Sequence, residues 1–411
     1  METRDILIIG GGPGGLSTAL HLQRMAPHLA PRILILEKEQ YPRFKLCAGG
    51  LVSDAEAILE RLGLDTDEIP HVDTDAARFD FAGKGLTLRV PKRHTLRVIR
   101  RDEFDHWLAR KVKERGMEIR ERVIVKDVRV QADGVTVITD KGNYRAQVVV
   151  AADGSNGITR KCVLPNAPVH TARLLEVITP EYEVIANEAA ARYAAGGQSS
   201  LNQEIASEKK GPRNGAHREG AAYFDFFPVP ENIAGYVWDF PTQIKGEAKR
   251  CWGIYDTNIL ANEDRPPLKK PLAEEMSRWG FDLNEYEIKG HPIRWFDPSN
   301  PLAVPRVLLA GDAAGADPIF GEGISIALGY GSLAAQAIVD ALQRKDFSFK
   351  TYKRRVLLSP LGQTLMARWI IANIIYTFKW KWFQALLWRG LKPLAILVAW
   401  IFVLNWGKRM K

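Results

Sequence analysis

The sequence predicts an α/β chain, α+β overall. A Rossmann-type nucleotide-binding core is interrupted by an inserted antiparallel-sheet domain and followed by a helical, membrane-associating tail. Three observations carry this. Near the start, Asp5-Ile-Leu-Ile-Ile-Gly10-Gly11-Gly12-Pro13-Gly14-Gly15-Leu16 runs from an apolar strand through a glycine cluster into a helical pattern. Far along the chain a second apolar strand, Arg306-Val-Leu-Leu-Ala-Gly311-Asp312, again ends in a glycine and an acid, so the chain returns to its first domain. Finally, residues 347–411 hold 12 Lys and Arg and no acid, which leaves residues 1–346 with 45 basic against 48 acidic groups, a net of −3. The formal charge of +9 therefore belongs to one Trp-rich tail. That placement points to a membrane surface and away from nucleic acid.

Gly10, Gly12 and Gly15 fit G-x-G-x-x-G. The first turns the chain, the second lets backbone reach a pyrophosphate, and the third packs helix on strand. The phosphates would rest on the helix N-terminus, where free N–H groups and the macrodipole favour anions. The next strand, Arg32-Ile-Leu-Ile-Leu-Glu37, places an acid 22 residues after Gly15, where a carboxylate holds an adenosine ribose. Then comes the loop Tyr41-Pro-Arg-Phe-Lys45-Leu-Cys47-Ala-Gly49-Gly50-Leu51, whose glycines permit close approach to something flat or charged. Cys47 within it is either an inert packed thiol or a reactive one.

Residues 54–62 read as a short helix and 79–98 as strands broken by Gly83, Gly85 and Pro91. Arg100-Arg101-Asp102-Glu103-Phe104-Asp105-His106-Trp107-Leu108 opens a longer helix with Asp102 as N-cap. Arg101 is either a solvated charge or a phosphate and ribityl clamp. Three strands follow in 123–150, and the last, an apolar run entering Ala152-Asp153-Gly154, suits a buried parallel strand of the first sheet. The texture of 171–300 differs: runs at 174–178, 223–227, 235–240 and 251–255 read as a sheet over the cofactor, and 207–219 as a basic, flexible loop. The segment after Gly311-Asp312 continues through Asp317-Pro318-Ile-Phe-Gly321-Glu322-Gly323-Ile324 into a helix.

In the tail, Ile371, Ile374, Ile375, Phe378, Trp382 and Leu386 recur at helical spacing, opposite Asn373, Thr377, Lys381 and Gln384. Only 11 uncharged apolar residues lie between Pro393 and Asn405, short of the roughly 20 that cross a bilayer. The tail is thus expected to lie in the interface, with six of the 11 tryptophans as an interfacial belt. Three scattered cysteines without metal or disulfide spacing, and an N-terminus that enters a strand directly, predict a cytoplasmic protein peripherally or monotopically associated with the membrane.

Three separated motifs (Gly10 to Glu37, Ala152-Asp153-Gly154 and Gly311-Asp312) together resemble the flavoprotein fold of para-hydroxybenzoate hydroxylase. That family holds FAD extended, with adenosine on the first motif and the ribityl chain beside the Gly-Asp. More narrowly, Lys45-Leu-Cys47-Ala-Gly49-Gly50, Gly235-Tyr-Val-Trp238-Asp-Phe240-Pro241 and Gly311-Asp-Ala-Ala-Gly to Ile324 resemble the geranylgeranyl reductases, which saturate double bonds of prenyl chains. The resemblance implies that Gly15, Glu37, Cys47, Ala48, Gly50, Arg101, Val125, Asp312, Gly323 and Ile324 line FAD, beside Gly10, Gly12, Asp153 and Gly311. It also implies that Tyr236, Trp238, Phe240 and Pro241 wall a prenyl tunnel. The middle of the chain and the tail match that family poorly.

These readings divide the chain into an FAD-binding domain (1–78, 97–170 and 300–345), a substrate domain (79–96 and 171–299) and a tail (346–411). Cys47 is the candidate catalytic group, as a gate or proton relay, and no metal is expected. With no second nucleotide fingerprint, the electron donor is NADPH, ferredoxin or another reductant. Other readings are a flavin monooxygenase, a halogenase, or a non-catalytic lipid-binding relative. Halogenases of this fold carry Trp-x-Trp-x-Ile-Pro, of which Tyr236-Val-Trp238-Asp-Phe240-Pro241 keeps only the second Trp and the Pro. The oligomeric state is left open.

Overall fold

Apolar on every side, Ile6–Ile9 can only be a strand covered on both faces. In the computed structural model, which describes residues 1–181, 220–259 and 265–410, these residues form the buried half of strand Glu2–Ile9. That strand sits inside an eight-stranded sheet ordered Ala303–Val304, Val307–Leu309, Gly142–Ala151, Glu2–Ile9, Ile33–Leu36, Glu118–Arg120. The five strands from Val307–Leu309 to Glu118–Arg120 run parallel, while the hairpin Val125–Gln131 and Gly134–Thr139 adds antiparallel to the early half of Gly142–Ala151. Gly10, Glu37, Ala152 and Ala310 therefore all emerge at one edge. In open parallel sheets, ligands bind outside that carboxyl edge.

Helix Pro13–Met25 follows the first strand and packs on the 21-residue helix Ile324–Arg344, where the Ser17 hydroxyl donates to Leu328 O at 2.8 Å. Ile324–Arg344 is long and apolar enough to cross a membrane, but most of its residues are buried and it serves as the core helix of this domain. The helix Arg101–Glu114 is capped by Arg100 without a side-chain bond. Asp102 falls inside its first turn and not at the N-cap, because Arg101 is already helical. There it can still favour the positive helix end.

A second sheet is ordered Lys289–Gly290, Thr171–Pro180, Glu247–Asp256, Gly235–Ile244, Ala221–Asp225, Ala76–Phe81, Lys84–Leu88. It is antiparallel apart from the parallel pair Ala221–Asp225 and Ala76–Phe81. Two distant stretches of chain thus build one sheet. A small third sheet, Gly50–Leu51, Leu96–Ile99 and His71–Thr74, joins the glycine loop to it. The basic segment 207–219 lies outside the described residues.

The tail does not form the single amphipathic helix that its spacing suggests. Helix Pro360–Thr377, capped by the Ser359 hydroxyl accepting from Gly362 N, ends at Thr377, and a new helix starts at Lys381–Ala385. The expected faces hold only in part: Ile375 is buried and Thr377 and Lys381 are exposed as the spacing suggests, but other positions change sides. Gln384 is buried, its amide donating to Ile375 O at 2.8 Å and Phe378 O at 2.9 Å, carbonyls near the end of the preceding helix. Ile374, Phe378, Trp382 and Leu386 are exposed. The segments Lys381–Gly390 and Lys392–Arg409 then meet at a 77° bend. Nor do all six tail tryptophans form a belt. Trp388 stacks on Phe226 at 4.1 Å, and Trp406 is buried against Gly329 while Asn405 N and Gly407 N donate to Asp54.

Candidate functional site

Gly10 turns out of the first strand at φ +105°, where a Cβ would collide with the Ala152 carbonyl of the neighbouring strand. A side chain there would force two strand ends apart. The turn delivers Gly12 to the start of helix Pro13–Met25, which has no side-chain cap, so its first-turn amides face the carboxyl edge of the sheet. Glu37, at the end of Ile33–Leu36, accepts from Gly11 N at 2.8 Å and Glu39 N at 2.9 Å and is buried beside the loop.

A cavity of about 1250 Å³ opens from this edge and runs between the two large sheets. Gly10, Gly12, Glu37, Cys47, Ala48, Gly50, Arg101, Val125, Asp153, Gly311, Asp312, Gly323 and Ile324 all line it. Gly15 does not: a Cβ there would strike the Gly10 carbonyl, so it sets the helix against the strand. Of the tunnel residues, Tyr236, Trp238 and Phe240 line the cavity. Pro241 does not, because strand Gly235–Ile244 alternates its side chains and odd positions point away.

Two arginines lie on one side of the cavity, organised by a residue the sequence reading passed over. Asp105, fully buried, accepts both Nε and Nη2 of Arg101 at 2.9 Å and also pairs with Arg43 at 3.0 Å. Burial works against charge on Arg101, but Asp105 outweighs it and holds the guanidinium above its ordinary pKa. Arg43 lies 3.4 Å from Glu37 and donates to Gly11 O at 3.2 Å. The i, i+4 spacing of Arg101 and Asp105 was the available signal. Arg43 carried none.

Beyond the glycines, Lys45 Nζ and His291 Nε2 lie 2.6 Å apart, and burial lowers both, His291 to about 4. Cys47 Sγ accepts from Gly49 N at 3.4 Å, and burial pushes the thiol up. Glu176, on Thr171–Pro180, is also pushed up by burial, to about 7. Across the cavity the Ser155 hydroxyl donates to Asp312 Oδ2 at 3.5 Å, while Asp153 bonds Thr159 through Oδ2 and leaves Oδ1 buried without a partner. Gly323 heads Ile324–Arg344 with no cap of its own, and Glu322 holds the first turn through Ser325 N at 2.8 Å.

Past Cys47 the cavity becomes apolar. Phe224 stands 5.0 Å from Phe240 and 5.3 Å from Tyr236, whose hydroxyl donates to Phe320 O at 2.5 Å. The far wall is the tail: Ile371, Ile375, Leu387, Ala395, Ile396 and Ala399 face inward.

The uncapped N-termini of Pro13–Met25 and Ile324–Arg344, the neighbouring Arg43 and Arg101, an orphaned Asp153 oxygen and the Glu37 carboxylate at the end of the second strand fit an extended dinucleotide such as FAD. The volume exceeds the roughly 300–1,000 Å³ of an ordinary single-ligand pocket, leaving the apolar end for a second molecule.

Comparison with known proteins gives the same reading. Residues 3–214 match the FAD binding domain family model. The digeranylgeranylglycerophospholipid reductase of Thermoplasma volcanium is 26% identical over 373 residues, covering 85% of this chain and 81% of that protein. Among solved structures, a geranylgeranyl bacteriochlorophyll reductase-like protein from Thermoplasma acidophilum superposes with a TM-score of 0.73 at 20% identity, over 99% of this chain and 95% of that one. A flavin-dependent brominase superposes at 0.65 with 19% identity, over 100% and 94% of the two chains, so the fold alone does not choose the chemistry.

Proposed function

We propose, from the premise that this chain belongs to the FAD binding domain family and is an FAD-dependent oxidoreductase of the geranylgeranyl reductase type, that it saturates C=C bonds of a prenyl chain at a membrane surface. The chain would be carried by a lipid, quinone or pigment precursor. One observation carries the reading: a single cavity joins the polar dinucleotide cradle to an aromatic and aliphatic chamber closed by the tail. A long apolar ligand fits such a chamber, and its polar end can remain near the surface.

Glu37 would hold the ribose of FAD, Arg43, Arg101 and the first helix its phosphates, and Asp312 with the Gly321 to Ile324 segment its ribityl and ring portion. FAD bound there would supply a hydride to one alkene carbon. The residues supply the rest. Tyr236, Trp238 and Phe240 orient the chain and exclude water, and Cys47, whose thiol stays protonated at neutral pH, holds the proton for the other carbon. The electron donor is NADPH, ferredoxin or another reductant.

Membrane action is supported by the tail's outer face, where Leu397, Ile401, Phe402, Trp380 and Trp382 are exposed among Lys379, Lys381, Arg389 and Lys392. A cytoplasmic, peripheral position fits that face.

The test is anaerobic incubation of the chemically reduced holoenzyme with geranylgeranylated lipids and polyprenyl quinones, followed by product mass. The expected products gain two hydrogens per bond saturated, and Cys47→Ala lowers their rate with FAD still bound. Oxygenated products with NADPH-driven oxygen uptake would instead make the protein a monooxygenase. A protein that stays colourless with FAD would be a binding relative.

A further inference from the structure

Glu176 has no part in holding a dinucleotide, yet it is 6% exposed and lines the cavity beside Cys47. Its Oε2 is buried without a hydrogen-bond partner. A bare carboxylate in that position would cost several kcal/mol, so the site favours a proton on it. Glu176 also lines a second recess, behind the cavity, together with Cys47, Arg100, Arg101 and Cys251. At about 10 Å³ that recess is near the lower limit for one water. Arg100, with a side chain 21% exposed, connects it to solvent.

The groups facing the carboxyl come from every neighbouring element: Arg100 ahead of the helix Arg101–Glu114, Lys289 and Cys251 on the flanking strands, and the Cys47 amide from the glycine loop. The Cys47 thiol in turn feels Arg101 and Glu176. Among the described residues, Glu176 is thus the one acidic group that reaches both the reacting end of the cavity and a water-sized recess behind it.

We propose that Glu176 is the proton-supplying and positioning residue behind Cys47, forming with it a relay from the recess to the alkene. The proposal rests on the reductase reading above. Saturation consumes a hydride, from FAD that has taken up two electrons from its donor (one NADPH or two reduced ferredoxins), and one proton. The alkene π pair takes the proton from Cys47 Sγ as the S–H bond breaks. The thiolate then takes the Glu176 proton, and a proton from solvent, passed on by water in the recess, restores the carboxyl, so neither side chain changes oxidation state. The return step runs downhill, because burial holds the thiol above its ordinary 9.0 and the carboxyl at about 7. Above that pH the carboxylate is empty and its charge further opposes thiolate formation.

Two measurements test this on the holoenzyme. In repeated turnovers of the holoenzyme with excess reductant and a geranylgeranyl alkene, where Cys47 must be reprotonated in every cycle, the wild-type rate falls as pH rises through about 7. Glu176→Gln lowers the rate at pH 6 roughly 10²-fold and removes that inflection, while Glu176→Asp restores part of the rate with the inflection displaced. Separately, alkylation of Cys47, read from the mass of its peptide, shifts to lower pH in Glu176→Gln because the charge that raised the thiol is gone. An unchanged alkylation profile in Glu176→Gln, or a wild-type pH profile in either variant, overturns the relay. If the wild type saturates no prenyl substrate but the alkylation shift is present, the reductase reading fails and the Glu176 to Cys47 coupling stands. Should Glu176→Gln not retain FAD, the displaced inflection of Glu176→Asp decides.

Discussion

Gly10 and Glu176 mark two ways in which single residues act here. Gly10 acts through backbone: at φ +105° any side chain is strained and meets the Ala152 carbonyl, so Gly10→Ala is expected to cost about 1–3 kcal/mol and to yield protein without FAD, read from the visible absorbance after gel filtration. Glu176 acts through charge. Its pKa is raised from 4.5 to about 7, so the folded state binds the proton more tightly than the unfolded chain. The stability this adds is complete below 4.5 and is lost as pH rises through 7. Relative to Glu176→Gln, the wild type should lose up to about 3 kcal/mol over that interval and nothing further above it, as chemical denaturation at several pH values would report. Parallel curves would mean that the carboxyl is not protonated in the fold. The glycines were legible in sequence because a backbone requirement leaves a spaced pattern. Glu176 and Arg43 were not, because the chemistry of each depends on partners far away in the chain, whereas Asp105 left the i, i+4 spacing to Arg101 as its signal.

Helices and strands show where pattern suffices and where it stops. The apolar runs into Gly10, Glu37, Asp153 and Gly311 became neighbouring parallel strands because an all-apolar run admits little else. The tail misled because helical spacing assumes an unbroken helix, and the chain turns between Thr377 and Lys381. What orients the helix Pro360–Thr377 is a charge in its interior. Arg368, 2% exposed, donates to Asp317 at 2.7 Å, lies 3.5 Å from Glu322, and donates to Val403 O at 2.9 Å. It ties the tail to the segment between Gly311 and Ile324. Arg368→Met leaves the buried Asp317 and the half-buried Glu322 without their cation and should cost about 3–5 kcal/mol, lowering the melting temperature. Loss of bound FAD should accompany it, since Glu322 holds the first turn of the helix headed by Gly323. Arg368→Met with wild-type melting and FAD content would show that the tail docks by apolar contact alone.

Across the whole molecule, the tail has one wall in the cavity and one face outside, and that arrangement gives the membrane proposal a functional consequence. Trp380, Trp382 and Phe402 are 57%, 63% and 49% exposed and lie outside the cavity lining, so replacing them should leave the chemistry intact. Each aromatic side chain can bury ~150–250 Å², and at ~25 cal/mol per Å² even a quarter of that is worth about 3–5 kcal/mol for the three together. The triple variant Trp380→Ser, Trp382→Ser, Phe402→Ser is therefore expected to bind anionic vesicles more than about tenfold more weakly in a sedimentation assay, each tenfold being about 1.4 kcal/mol. The cations Lys379, Lys381, Arg389 and Lys392 add a part that salt removes: at 1 M the screening length falls to about 3 Å, so wild-type binding to anionic vesicles should weaken toward that for neutral ones. Turnover separates the two walls. With substrate embedded in vesicles the triple variant should slow in proportion to its lost binding, and with substrate dispersed in detergent it should match the wild type. Equal slowing in both would mean that the exposed aromatics support the chamber itself, and wild-type vesicle binding would mean that this face meets something other than lipid.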